Sequence, residues 1–137
     1  MEFEYDIKGG DFSHAGFASS SVKKMLKQLN ISGGLIKRIV ISLYEAEVNI
    51  VAHAYEGKIY VKIEADKILI YVKDKGPGIN DIDKAMEDGY STASEEVREM
   101  GFGAGMGLSN IKNNSDELEI DSTVNQGTEL KIVTKLS

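Results

Sequence analysis

The 137 residues contain no cysteine, no tryptophan, one proline and two histidines. Without cysteine there is no disulfide scaffold, no thiol nucleophile and no cysteine-ligated zinc or iron–sulfur site. His14 and His53 are too few for a histidine-rich metal centre. No apolar run approaches the ~20 residues that span a bilayer, and no basic-then-apolar leader opens the chain. The expectation is a soluble, cytoplasmic protein with no membrane partner. Positive charge is also in deficit: 16 Lys and Arg against 22 Asp and Glu give a formal net charge of −6. That balance lacks the basic footprint of a nucleic-acid binder and repels polyanions on average. A single phosphate pocket remains compatible with it.

Length predicts one domain over residues 1–137, at the usual ~100–200 residues per domain, large enough to bury one sizeable core. Glycine is plentiful, with 14 in the chain, and Gly89, Gly101, Gly103, Gly105 and Gly107 fall close together. Because glycine loses the most conformational freedom on folding, such clustering needs a backbone reason. Alternation of Phe3, Tyr5 and Ile7 predicts a strand over 2–7, and Gly9-Gly10-Asp11 a turn. Residues 14–29 read as a helix with Phe17, Val22, Met25, Leu26 and Leu29 on one stripe. Ser32 is a plausible cap for a second helix over about 34–55, with Leu35, Ile39, Leu43 and Ile50 facing the core. Two period-two runs, 58–64 and 67–73, make a hairpin around Ala65-Asp66. Residues 80–104 read as a lid. A helix over about 105–115 follows, then a closing hairpin around Asn125-Gln-Gly127. The expected fold is α+β, a two-layer sandwich whose mostly antiparallel mixed sheet carries its helices on one face.

Three stretches can carry chemistry. In the second helix Glu45, Asn49 and His53 are spaced i, i+4, i+8 and stack as one polar ridge. An asparagine offers a neutral oxygen to Mg²⁺, which takes few protein ligands, and a glutamate one turn away can accept a proton. Asp74, with Gly76 and Gly78 close behind, ends an apolar strand, where a carboxylate can receive an exocyclic amine such as that of adenine. Gly103, Gly105 and Gly107 leave backbone N–H groups unshielded just before a helix, which suits phosphate. Each has an ordinary alternative: a solvated helix face, a tight turn and a flexible linker. The P-loop pattern is absent, the glycine run lacks G-x-G-x-x-G spacing after a strand, and the His-Arg-Asp and Asp-Phe-Gly kinase signatures are missing.

In order and spacing, these stretches with the late Gly127-Thr128 resemble the GHKL (Bergerat-fold) superfamily of ATPases and kinases, over about residues 34–135. Ser42-Leu-Tyr-Glu-Ala-Glu-Val-Asn49 with His53-Ala-Tyr55, and Gly103-Ala-Gly-Met-Gly-Leu-Ser-Asn-Ile-Lys112 with Ser115-Asp-Glu-Leu-Glu-Ile120, are most similar to the bacterial anti-sigma and switch-protein serine/threonine kinases. The resemblance implies ATP and Mg²⁺ as cofactors. It implies that Asn49 holds Mg²⁺, Glu45 is the base, Asp74 accepts the adenine amine and Gly76 and Gly78 shape the base pocket. Gly103, Gly105, Met106, Gly107 and Leu108 would lie along the nucleotide, and Thr128 would face the adenine through water. The expected activity is γ-phosphate transfer to a serine of a regulatory protein, either anti-sigma-antagonist-like or a sigma factor. The alternative is a nucleotide-sensing module that sequesters such a partner without phosphorylating it. A homodimer is left open. The pattern departs from sigma-holding kinases at Gly103, where those carry an arginine.

Overall fold

The computed structural model describes residues 1–79, 82, 86 and 107–136. Strand β1 (Glu2–Lys8) leads through a 3-10 turn (Phe12–His14) to helices α1 (Phe17–Gln28) and α2 (Gly33–His53). A hairpin follows, β2 (Glu56–Ile63) and β3 (Lys67–Lys75). Helix α3 (Gly107–Asn113) then precedes a second hairpin, β4 (Glu117–Thr123) and β5 (Gly127–Lys135). The strands form one sheet in the order β1-β2-β3-β5-β4.

Period-two alternation fixes which face is dry. Ile59 and Val61 of β2 lie opposite Val72 and Ile70 of β3, and those two lie opposite Leu130 and Ile132 of β5. All six are buried. They pack in one cluster with Val22 and Leu26 of α1, Ile39, Leu43 and Ile50 of α2, and Leu108 and Ile111 of α3. Burying each such aliphatic side chain stabilises the fold by about 1.5–3 kcal/mol, so the three helices are held on this one face. The other face is polar: Lys58 reaches Glu4 at 3.0 Å, Lys73 reaches Glu129 at 3.4 Å, and Tyr60 and Tyr71 lie 6.3 Å apart between them.

Helix α2 starts where its cap predicts. The Ser32 side chain accepts from the Leu35 N–H at 3.4 Å, satisfying one of the orphan donors of the first turn. At the other end Ala54 turns extended, with φ −101° and ψ 167°. At 1.5 Å per residue the helix is about 30 Å long, enough to cross the sheet.

Three expectations need adjustment, and a fourth falls outside the described residues. Every strand pairing among the described residues is antiparallel, so no parallel pair interrupts the sheet there. Helix α1 begins at Phe17, and the Phe17 side chain is 67% exposed; Ala18 and Ser19 take the buried positions instead. In α2 it is Ile36 that is buried, with Leu35 only half-buried beside it. The expected lid over 80–104 lies outside the described residues apart from Ile82 and Met86; Met86 packs on the core. No helix among the described residues is long and apolar enough to cross a membrane.

The strand order positions the site. β3 lies between β2 and β5, and among the described residues the chain leaves the sheet at Lys75 and next joins it at β4. Asp74 therefore stands at the end of a central strand, beneath the last turns of α2.

Candidate functional site

Glu45 and Asn49 project one turn apart from α2, both half-buried. Helix α3 crosses this ridge. A β-carbon added at Gly107 would lie 2.9 Å from the Asn49 Oδ1 and 3.3 Å from its Nδ2, so only a glycine lets the backbone come this close. One turn further along α3, the Asn110 Nδ2 donates to the Glu45 Oε1 at 3.2 Å. Gly107 thus faces Asn49, and Asn110 faces Glu45. His53, the next residue of the ridge, is half-buried, and that burial pushes its imidazole below the ordinary value of 6.5 toward the neutral form.

Asp74 closes the other side. It lies opposite Gly57 of β2, and a β-carbon there would touch the Ile50 Cδ1 at 2.8 Å and the Asp74 Cβ at 3.1 Å. The Asp74 carboxylate is thus set under the α2 turn that carries Asn49. Its Oδ1 accepts from the Thr128 N–H at 3.1 Å. Burial pushes the carboxyl above the ordinary value of 3.8, while the Thr128 N–H pulls the other way.

The turn after β3 is laced to the β4–β5 hairpin. Gly76 N donates to the Gln126 carbonyl at 3.1 Å, Asn125 N to the Pro77 carbonyl at 2.8 Å, and Ile79 N to the Ser122 Oγ at 2.8 Å. Gly78 has φ +74°, and a side chain there would meet the Thr123 carbonyl oxygen at 2.5 Å. The Ser122 hydroxyl also lies 3.1 Å from the Gly127 carbonyl and 2.9 Å from the Thr128 Oγ1. A hydroxyl has one proton and two lone pairs. Using all three contacts, Ser122 donates to Gly127 and accepts from Ile79 and from the Thr128 hydroxyl. Thr128 then offers only lone pairs to whatever it faces.

Glu47, two residues before Asn49, is wholly buried. Its two oxygens accept from the Ala18 N–H at 3.1 Å and the Ser19 N–H at 3.2 Å. A side chain of α2 therefore caps the first turn of α1, where the helix dipole also favours a carboxylate.

Of the residues singled out by motif, Glu45, Asn49 and Gly107 meet at the α2–α3 crossing, and Asp74, Gly76, Gly78 and Thr128 meet at the end of β3. The Leu108 side chain sits in the core cluster instead of facing outward, leaving its backbone as the part available to a ligand. Gly103, Gly105 and Met106 lie outside the described residues. Sequence reasoning missed Asn110, Ser122 and Glu47. Ser122 alone carried a local signal, as the polar member of the inward set Leu118, Ile120, Ser122, opposite Thr128 in the hairpin.

A family of histidine kinase-like ATPase domains matches residues 11–134, and the chain belongs to that family. The GHKL resemblance drawn from the motifs is thereby borne out. The chain is 38% identical over 133 residues to an anti-sigma F factor of Caldanaerobacter subterraneus subsp. tengcongensis, covering 93% of this chain and 87% of that one. It is 36% identical over 100 residues to the serine/threonine-protein kinase RsbT of Bacillus subtilis, covering 70% of this chain and 69% of that one. The solved mycobacterial sensor histidine kinase MprB is similar with a TM-score of 0.56 at 14% identity, covering 98% and 97% of the two chains. That last likeness concerns the fold alone.

Proposed function

We propose that this chain is an ATP-dependent serine/threonine protein kinase of the anti-sigma and switch-kinase type. The observation that carries the reading is the convergence of Glu45 and Asn49 on the α3 crossing, with Asp74 under the same end of α2. The names of the relatives, an anti-sigma F factor and a serine/threonine-protein kinase, support it.

Asp74 accepts the adenine amine through the carboxylate oxygen that Thr128 leaves available, and Gly76 and Gly78 bound the base pocket. Thr128, with its hydroxyl proton committed to Ser122, receives a bridging water. Gly103, Gly105 and Gly107 would lie along the phosphates, with Met106 and Leu108 also against the nucleotide. Among the described residues no group of three or more His, Asp or Glu side chains is assembled for a metal. Asn49, whose amide the Gly107 backbone approaches closely, would hold Mg²⁺ through its neutral amide oxygen, a donor suited to an ion that takes few protein ligands. When bound there, the ion would supply charge neutralisation on the transferring group. Glu45 takes the proton of the partner's serine hydroxyl as its oxygen bonds to the γ-phosphorus and the bond to the leaving ADP oxygen breaks.

Residues 1–137 act as one domain with its lid over about 80–104, in the cytoplasm. The partner is a regulatory protein, either anti-sigma-antagonist-like or a sigma factor, and a homodimer is compatible with this. Incubation with γ-labelled ATP, Mg²⁺ and the products of neighbouring genes tests the reading. The expected result is label on a serine of one of those proteins, lost in Glu45→Gln. Free phosphate alone would make the chain a slow hydrolase. ATP-dependent partner binding with no labelled product would make it a nucleotide-gated binder.

A further inference from the structure

Glu45 is half-buried, and Asn110 donates a hydrogen bond to it from another element. We propose that Asn110 is a positioning residue for phosphoryl transfer, holding the Glu45 carboxylate in the orientation of a general base. The inference rests on the assignment of Glu45 above, and goes beyond it by tying the base to α3.

The geometry supports more than a surface contact. A free glutamate on a helix samples several rotamers, each with its carboxylate in a different place. A bond from the neutral Asn110 amide to the Glu45 Oε1 selects one of them and leaves Oε2 for the incoming proton. An amide is well matched to this role, because it donates without bringing a charge that would compete for the carboxylate, and unlike a lysine it does not neutralise the base.

Placement adds a second element. Asn110 and Gly107 are one turn apart on α3, just as Glu45 and Asn49 are one turn apart on α2. Because Gly107 packs directly on the Asn49 amide, a rigid shift of α3 moves the neighbours of both residues together. The base and the amide proposed to hold the cation are then set by one short helix. That helix is fixed to the core through Leu108 and Ile111, which keeps Asn110 in register.

The test uses Asn110→Leu, which keeps the volume and removes the donor; Asn110→Asp, which sets a second carboxylate against Glu45; and Asn110→Gln, which returns the amide. Steady-state turnover of γ-labelled Mg–ATP (label on partner protein plus free phosphate), KM for ATP and affinity for a fluorescent ATP analogue are measured for each, beside Glu45→Gln. The expected result is a fall in kcat of about tenfold for Leu, a larger fall for Asp, and substantial recovery for Gln. KM and analogue affinity stay within about twofold of the unsubstituted protein. A residue that merely seats α3 would lower affinity and melting temperature along with kcat, which would overturn the proposal, as would an unchanged kcat in Asn110→Leu. If Glu45→Gln turns over like the unsubstituted protein, the assignment of the base fails and this inference with it. If Glu45→Gln is inactive and Asn110→Leu is not impaired, this inference alone fails. The ground state is checked without turnover, by the side-chain amide resonances of Asn110. They should shift on Glu45→Ala, and constancy there would contradict the contact itself.

Discussion

The Asp74 carboxylate and the Thr128 backbone join two strands that are distant in sequence: the Asp74 Oδ1 accepts from the Thr128 N–H at 3.1 Å. The carboxyl is half-buried, and among the described residues no ion pair reaches it. Burial raises its pKa above the ordinary 3.8 despite the Thr128 N–H. A carboxyl raised in the folded state contributes stability that is fully present below its unfolded value near ~3.9 and is lost as pH rises through the folded value. At neutral pH the ionised Asp74 therefore costs the free protein stability. Asp74→Asn should hold or raise the melting temperature at pH 7 while losing adenine nucleotide affinity. In the unsubstituted protein, affinity should fall as pH drops through a midpoint above 3.8, which titration of ATP binding at stepped pH checks.

Gly107 separates binding from stability in the same way. Alanine is the better helix former by ~1 kcal/mol in helix interiors and by less at a helix start. Its methyl would stand 2.9 Å from the Asn49 Oδ1, so the amide must turn away. Gly107→Ala should leave the melting temperature unchanged or slightly higher and weaken Mg²⁺-dependent nucleotide binding about tenfold or more, an effect of ~1.4 kcal/mol. Equal affinity would remove Asn49 from the ligand set.

Glu47 is a matter of folding. Truncation to alanine leaves the Ala18 and Ser19 N–H groups without their buried acceptor. Loss of a cap and exposure of two unsatisfied donors together cost about 2–4 kcal/mol. Glu47→Ala should lower the unfolding free energy from denaturant titration by that amount, and Glu47→Gln, which retains one acceptor oxygen, by less.

His53 gives a second pH dependence. Burial holds its imidazole below 6.5, so the unfolded chain binds the proton more readily. Stability is present above pH ~6.5 and is lost as pH falls through the folded value. Unfolding midpoints measured downward from pH 7 should decline, and the decline should be shallower in His53→Gln.

Much of the fold is legible locally. Ser32, the Asn125-Gln-Gly127 turn and the alternation of Ile68, Ile70 and Val72 are short-range signals, and each element forms where its signal lies. Phe17 misleads because helical period alone cannot see that Glu47 takes the α1 N-terminus and turns Ala18 and Ser19 inward instead. Asn110 and Glu45 are 65 residues apart in sequence. Nothing at either position announces the other until α3 is laid across α2. The Glu-x-x-x-Asn and Asp-x-Gly-x-Gly spacings point to residues that do meet, because each spacing encodes one helix turn or one strand end. Those spacings do not name the supports: Glu47 lies inside the first motif but serves the N-terminus of α1, and Asn110 and Ser122 come from elsewhere in the chain.

The central claim is that α2, the end of β3 and the start of α3 enclose one adenine nucleotide. Calorimetric titration of ATP with and without Mg²⁺ tests it most directly. The unsubstituted protein and Glu45→Gln should bind alike, Asn49→Ala should lose the Mg²⁺-dependent part of the affinity, and Asp74→Asn should lose most of the whole. No heat of binding in the unsubstituted protein, or full affinity in both Asn49→Ala and Asp74→Asn, would contradict it.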